Sequence, residues 1–144
     1  MKIYIAHPFD TRHDIEIWQH RTEIEGIEFL NPFYDIERKD MEDVDQNNIT
    51  RHDISTGKYL VDPEKIVSQD LNALTNCDAI MAYISGHTTI GTHMEMAYAH
   101  MYGIPVHTIA LQHKYHPWIQ YHSTTIFDSL CEYEDYLKVN SEKV

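Results

Sequence analysis

Short apolar runs alternate along the chain with segments of helical spacing. Lys2 to Ala6 is an almost continuous apolar run halted by Pro8, the pattern of a short buried strand. Asp14 to Glu25 brings Ile15, Trp18 and Thr22 to one side at helical spacing, and Gly26 is a natural C-terminal stop. Ile27 to Leu30 reads as a second strand, ended by Asn31-Pro32. Residues 33–61 are polar, acidic and weakly periodic, which predicts a long excursion holding a short helix; loops of that length are as a rule functional or mobile. Asp62-Pro63-Glu64 combines a capping aspartate, a proline at the first helical position and an acid in the first turn. The helix it opens should run to about Asn76, with Val67, Leu71 and Leu74 turned inward. Ala79 to Ile84 is apolar throughout, as a central strand is. A loop over 85–91 then leads to a helix from Thr92 to Tyr102 closed by Gly103, a fourth strand over Ile104 to Ala110, and a polar, aromatic stretch from Gln112 to His122. A short strand at Thr125 to Phe127 and a helix over Cys131 to Lys138 complete the order.

This alternation predicts an α/β protein: one flavodoxin-like (Rossmann-like) domain over residues 1–144, with a parallel sheet of about five strands and helices on both faces. Ligands of such sheets bind beyond the carboxyl ends of the strands, so the loops 7–13, 31–61 and 85–92 become the candidate site.

Composition narrows the function. With 42% hydrophobic and 24% charged residues the chain has the make-up of a globular protein. A net charge of −12 repels nucleic-acid backbones and acidic membranes, which leaves small molecules as the expected ligands. Cys77 and Cys131 have neither CxxC nor metal-site spacing and read as reduced thiols. The opening residues run directly into a strand rather than a leader, and no apolar run reaches the roughly 18 to 20 residues that span a bilayer, so a cytoplasmic location is expected.

Two carboxylates stand out. Asp70 lies three residues after Val67 and four before Leu74, on or beside an apolar helix stripe. Burial there would raise its pKa toward a proton-donating range, whereas partial solvation would leave it an ordinary helix residue. Thr92-His93-Met94-Glu95 fits a capping box, a structural role that alone accounts for the pair. A helix N-terminus also lowers a carboxylate pKa, and an ionised Glu95 is a competent nucleophile beside a loop (Thr88, Thr89, Gly91) whose amides suit anions. One ionised and one protonatable carboxylate is the set that glycosidic cleavage needs. The eleven histidines form no HExxH, HxH or Cys/His quartet, so no metal is expected. Tyr115, Trp118 and Tyr121 read as core or interface rather than as a base-stacking platform. Neither GxGxxG nor GxxxxGK[ST] is present.

Three segments resemble the nucleoside 2-deoxyribosyltransferase superfamily, which includes the nucleoside 5′-monophosphate N-glycosidases. They are Lys2-Ile3-Tyr4-Ile5-Ala6-His7-Pro8-Phe9, then Ile66-Val67-Ser68-Gln69-Asp70-Leu71 with Asn76-Cys77-Asp78-Ala79-Ile80, and finally Gly91-Thr92-His93-Met94-Glu95-Met96-Ala97-Tyr98-Ala99 with Gly103-Ile104-Pro105-Val106. The resemblance spans about residues 1 to 110. It implies that Glu95 is the nucleophile and Asp70 the acid that assists the departing base. It also implies substrate contacts from Tyr4, His7, Phe9 and Arg12 in the first loop and from Gly86, Thr89 and Gly91 in the third. Thr89 stands where nucleoside-specific relatives carry an aspartate and monophosphate-cleaving ones a hydroxyl, which points to a 5′-phosphorylated substrate. His7 replaces a usually small residue. The segment over 112–124 does not align, and Ser123 is carried only as a phosphate contact from a neighbouring subunit. The expected protein is therefore an N-glycosidase or base-exchanging transferase without cofactor, acting on a small nucleoside or nucleotide as a homodimer or higher oligomer. A non-catalytic nucleotide-sequestering protein and a nicotinamide-dinucleotide glycohydrolase are the rival readings.

Overall fold

A computed structural model describes residues 1–36, 44–86 and 89–141. In chain order it contains β1 (Lys2–Ala6), a 3-10 turn (Phe9–Thr11), α1 (Arg12–Arg21), β2 (Glu28–Leu30), α2 (Arg51–Ser55) and α3 (Pro63–Thr75). β3 (Ala79–Ile84), α4 (Ile90–Met101), β4 (Val106–Ala110), α5 (Pro117–His122), β5 (Thr125–Phe127) and α6 (Leu130–Ser141) follow. The strands form one five-stranded sheet in the order β2-β1-β3-β4-β5. Every pairing is parallel, with Tyr4 beside Leu30 on one side and beside Ile80 on the other.

Because side chains alternate across a strand, each central strand feeds two cores. Ile3, Ile5, Ala79, Met81 and Ile109 join Ile15 and Trp18 of α1 and Tyr133 and Leu137 of α6 on one face. Tyr4, Ala6, Ile80, Ala82 and Val106 join Leu74 of α3, Met96 and Ala99 of α4 and Ile119 of α5 on the other. The α/β sandwich with helices on both faces is as the pattern predicts.

Several boundaries move. α1 begins at Arg12 and ends at Arg21, because Thr22 turns extended and the chain folds Ile24 into the core ahead of the left-handed turn at Gly26 (φ 81°). Of the expected inward stripe of α3, Leu74 is buried and Leu71 partly buried, but Val67 is 52% exposed, and Ile66, Asp70 and Ala73 are partly buried instead. β4 starts only at Val106, after Pro105. The aromatic stretch contains α5, opened by His116, whose Nδ1 accepts from the Trp118 amide, and by Pro117 at its first position. The excursion after β2 does hold a short helix: α2 is closed at its start by a capping box between Thr50 and Asp53. The part of that excursion over 37–43 lies outside the described residues. Both cysteines are free; Cys77 is buried and donates to the Ala73 carbonyl at 3.3 Å.

Inside the first core, His107 Nδ1 lies 2.8 Å from the Tyr133 hydroxyl. Burial pulls the imidazole pKa down to about 4 and pushes the phenol up, so both partners are neutral near pH 7. A histidine with a lowered folded-state pKa stabilises the fold fully above 6.5, and that contribution is lost as pH falls from 6.5 toward 4, where the unfolded chain binds the proton first. Lowering the pH from 7 to 5 should therefore cost about 2 kcal/mol through this group, seen as a shift in the urea midpoint. His107→Gln should remove that portion of the pH dependence; an unchanged slope would show that the pair does not carry it.

Candidate active site

The strand order reverses direction between β1 and β3: the chain leaves β1 toward β2 on one side and returns to lay β3 on the other. At such a point the loops after two neighbouring strands diverge to opposite faces and leave a crevice beyond their carboxyl ends. The loops that follow β1 and β3 are the ones carrying the candidate residues.

The first loop is stiffly built. His7 is 4% exposed; one ring nitrogen, Nδ1, lies 2.8 Å from the Pro8 carbonyl, the other, Nε2, lies 3.3 Å from Asn31 Oδ1, and the ring packs on Phe33 at 4.7 Å. Burial, outweighing those two contacts, lowers the His7 pKa and keeps it neutral at pH 7. The Arg12 guanidinium lies 3.8 Å from the centre of the Phe9 ring, donates to the Phe9 carbonyl at 2.9 Å and pairs with Asp45 at 3.1 Å. Its charge is met by Asp45 in the excursion after β2, so of the basic candidates His7 and Arg12 one is neutral and the other paired. Tyr34 stands in the same cluster, and burial together with the Asp45 and Glu16 charges pushes its phenol up to about 12. Tyr4 is fully buried in the core beneath.

The third loop leads into α4, which starts two residues earlier than its expected Thr92 cap. Thr89 is the N-cap, in extended conformation, and its hydroxyl makes no capping bond. Thr92 is instead 2% exposed inside the first turn, and its Oγ1 has no hydrogen-bond partner among the described residues. There is thus no capping box, because Glu95 lies a turn too far along the helix to reach the N-cap amide. Side chains on a helix lean toward its N-terminus, which here is the carboxyl edge of the sheet. Glu95 follows that rule: Oε1 comes within 4.0 Å of where a Gly91 side chain would begin, and Oε2 is shielded from solvent. Gly91 leaves that space open. A side chain on Gly86 would meet Gln112 at 3.3 Å, so this loop runs close against the one after β4. Thr88 lies outside the described residues.

Asp70 is half-buried on α3, which packs beside α4. Ser123 is placed elsewhere in the subunit. It precedes β5, at the amino edge of the sheet, and its hydroxyl is 2.6 Å from Thr108 Oγ1 and 2.6 Å from the Ile119 carbonyl, to which it donates. Within one chain it does not join the crevice residues.

Sequence reasoning missed Asn31 and Asp45. Asn31 is fully buried at the end of β2; its Oδ1 accepts from the Phe33 amide at 3.0 Å, which fixes the amide orientation, and its Nδ2 has no partner among the described residues. The only sequence signal was the Asn-Pro strand stop. Asp45 lies in the weakly periodic excursion, where nothing marks it as the partner of Arg12. Among the described residues no three His, Cys, Asp or Glu side chains stand together as metal ligands, and no helix is long and apolar enough to cross a membrane.

Neither a protein-family model nor a curated protein sequence matches the chain. Solved structures do. A conserved protein from Enterococcus faecalis V583 superposes with a TM-score of 0.60 at 17% identity, over 97% of this chain and 98% of that one. The CMP N-glycosidase BcmB of Clostridium botulinum superposes with a TM-score of 0.54 at 15% identity, over 96% and 99%. At these identities the likeness establishes the fold along the whole chain.

Arg12 is the tie between the first loop and the following excursion. Arg12→Ala should destabilise the protein by about 1–3 kcal/mol in equilibrium urea unfolding, through lost packing on Phe9 and an Asp45 left without its cation. A change below about 0.5 kcal/mol, the size of an ordinary surface substitution, would mean that the tie carries no load.

Proposed function

We propose that this protein cleaves the N-glycosidic bond of a nucleoside 5′-monophosphate or nucleoside, by hydrolysis or base exchange, through a covalent intermediate on Glu95. The observation that carries the reading is the carboxylate of Glu95 on the first turns of α4, leaning toward the carboxyl edge of the sheet over the bare backbone of Gly91, with one oxygen shielded from water. A partly desolvated carboxylate beside a helix N-terminus is a better nucleophile than a hydrated one. The fold shared with a CMP N-glycosidase, and a second carboxylate on the adjacent helix at Asp70, support the same reading.

In the first step Glu95 attacks C1′ as the bond from C1′ to the base nitrogen breaks. The bonding pair leaves with the base, and Asp70 delivers a proton or hydrogen bond to it. The glycosyl ester on Glu95 is then opened by water, which loses its proton to Asp70 and yields the free sugar phosphate, or by the nitrogen of a second base. Two displacements retain configuration at C1′. Thr89 contributes a neutral hydroxyl that the helix does not use for its cap, free to donate to a 5′-phosphate. The buried Asn31 amide supplies one more donor near the first loop.

A panel of nucleosides and 5′-monophosphates should reveal release of free base from at least one member by chromatography. Glu95→Ala should lose the activity while keeping its melting temperature, and Asp70→Asn should slow it by about 10²- to 10⁴-fold, the usual worth of a positioned proton donor. Thr89→Asp should raise KM for monophosphates more than for nucleosides, because it sets a carboxylate against the phosphate. Undiminished turnover in Glu95→Ala, or tight nucleotide binding with no base released, would replace this reading with that of a sequestering protein.

A further inference from the structure

The chain carries 11 histidines, and four of them come together outside the crevice. His93 stands on α4, His113 and His116 in the loop before α5, and His122 at the end of α5. All four line one groove of about 460 Å³ between the two helices. Small-molecule sites occupy about 300–1,000 Å³ and combine an apolar lining with a few polar groups. This groove has that make-up. Met94, Met96, Trp118 and Ile119 supply apolar wall, the imidazoles supply the polar groups, and among the described lining residues there is no Asp or Glu.

Local hydrogen bonds set the state of two of the rings. His116 Nδ1 accepts from the Trp118 amide at 3.2 Å, so the proton of the neutral ring sits on Nε2 and makes that nitrogen a donor. His122 Nδ1 lies 2.8 Å from the Trp118 carbonyl, to which it donates. The His122 ring also stacks on Trp118, with centroids 5.7 Å apart and planes at 20°, which makes a flat aromatic wall. His113 is held at φ 63°, a left-handed backbone that residues with side chains seldom adopt, and its carbonyl accepts from the His116 amide at 2.9 Å. That turn brings both rings to the groove. Burial first, and then the nearby His113 and His116 rings, lower the His93 pKa. The three imidazoles thus oppose one another as cations, and an anion among them removes the conflict.

We propose that the groove between α4 and α5 is a binding site for a small planar aromatic anion, a ring bearing a carboxylate or sulfonate. Charge selects the sign. On a chain of net charge −12 with 23 Asp and Glu, a groove ringed by imidazoles and without carboxylates is complementary to a negative group. Among the described residues no three imidazoles stand together as metal ligands, so the set makes no cage for a cation. Lys114, next to His113, is already paired with Asp128 at 2.8 Å, which leaves the imidazole N–H groups to meet the anion. The aromatic part follows from the walls. Trp118 offers a ring face, and the thioether sulfurs of Met94 and Met96 favour aromatic neighbours. Trp118 is 70% exposed, so its face is open to a ligand. The inference holds whether or not Glu95 is a nucleophile.

Naphthoate and its uncharged counterpart naphthamide, titrated into the full chain by calorimetry, give the test. Naphthoate should bind at a single site and at least about tenfold more tightly than naphthamide. In proton–nitrogen spectra the Trp118 indole N–H should shift on binding, while that of Trp18, the buried second tryptophan, stays in place. Trp118→Ala should weaken naphthoate binding by about tenfold or more with circular dichroism unchanged, the worth of a lost stacking surface. His93→Leu should bring the affinity for naphthoate down toward that for naphthamide. Equal affinity for the two compounds in the unmodified protein, a Kd for naphthoate weaker than about 1 mM, or a shift confined to Trp18 would overturn the proposal. Naphthoate affinity that falls as protein concentration rises would overturn it as well, and would give the groove to a second copy of the chain.

Discussion

The pairing of β1 with β3 is the constraint from which the rest of the architecture follows. β1 takes β2 on one edge and β3 on the other, all parallel, so the connection after β2 must cross to the opposite face of the sheet. That crossing puts α1 and α6 on one side and α3, α4 and α5 on the other, and it leaves both faces of β1, β3 and β4 covered. Strands covered on both faces cannot alternate apolar with polar positions. This is why Ile3 to Ala6 and Ala79 to Ala82 are each almost entirely withdrawn from solvent. The same crossing sends the loops after β1 and β3 to opposite faces, the place where sheets of this kind bind their ligands.

Around that crevice the chain uses polar groups in two ways. Arg12 is bound to Asp45 and to the Phe9 carbonyl, and burial keeps His7 uncharged, its two ring nitrogens set beside the Pro8 carbonyl and the Asn31 side chain. These contacts tie the first loop to the excursion after β2. Thr89, Thr92 and Asn31 differ: none of their side chains is fully satisfied by its own element, and two of them are buried. An unmet buried hydrogen-bonding group costs about 1–3 kcal/mol, so among the described residues Thr92 and Asn31 are places where the fold forgoes stability.

The layered fold was legible because it rests on long apolar runs and on stop signals with local causes. Ala79 to Ile84 needs no tertiary information to be read as a central strand, nor does Asp62-Pro63 to be read as a helix start. What failed to be legible depended on contacts between distant segments. Val67 and Ile66 are both apolar, and only the packing of α3 decides that Ile66 turns inward and Val67 outward, a rotation that draws Asp70 toward the interior. Thr92 and Glu95 match a capping box letter for letter, yet the helix nucleates at Ile90 and buries Thr92 under its first turn. α5 was hidden because a helix of six residues with one buried apolar side chain has no periodicity to detect. Asp45 binds Arg12 across 33 positions, and no local pattern encodes such a pair.

α4 joins these threads, since three strips of one short helix face three different surroundings. Thr92, Met96 and Ala99 are buried against the sheet. Gly91 and Glu95 share the strip whose upper end lies at the crevice. Ile90, Met94 and Met101 remain outside, apolar and free of charge. A helix that only closed the core would carry charged residues along its outer strip, as surface helices do. A helix that only presented a carboxylate would not require its outward neighbours to be methionine and isoleucine. The outer strip is therefore the part of α4 whose composition neither the core nor the placing of the Glu95 carboxylate accounts for.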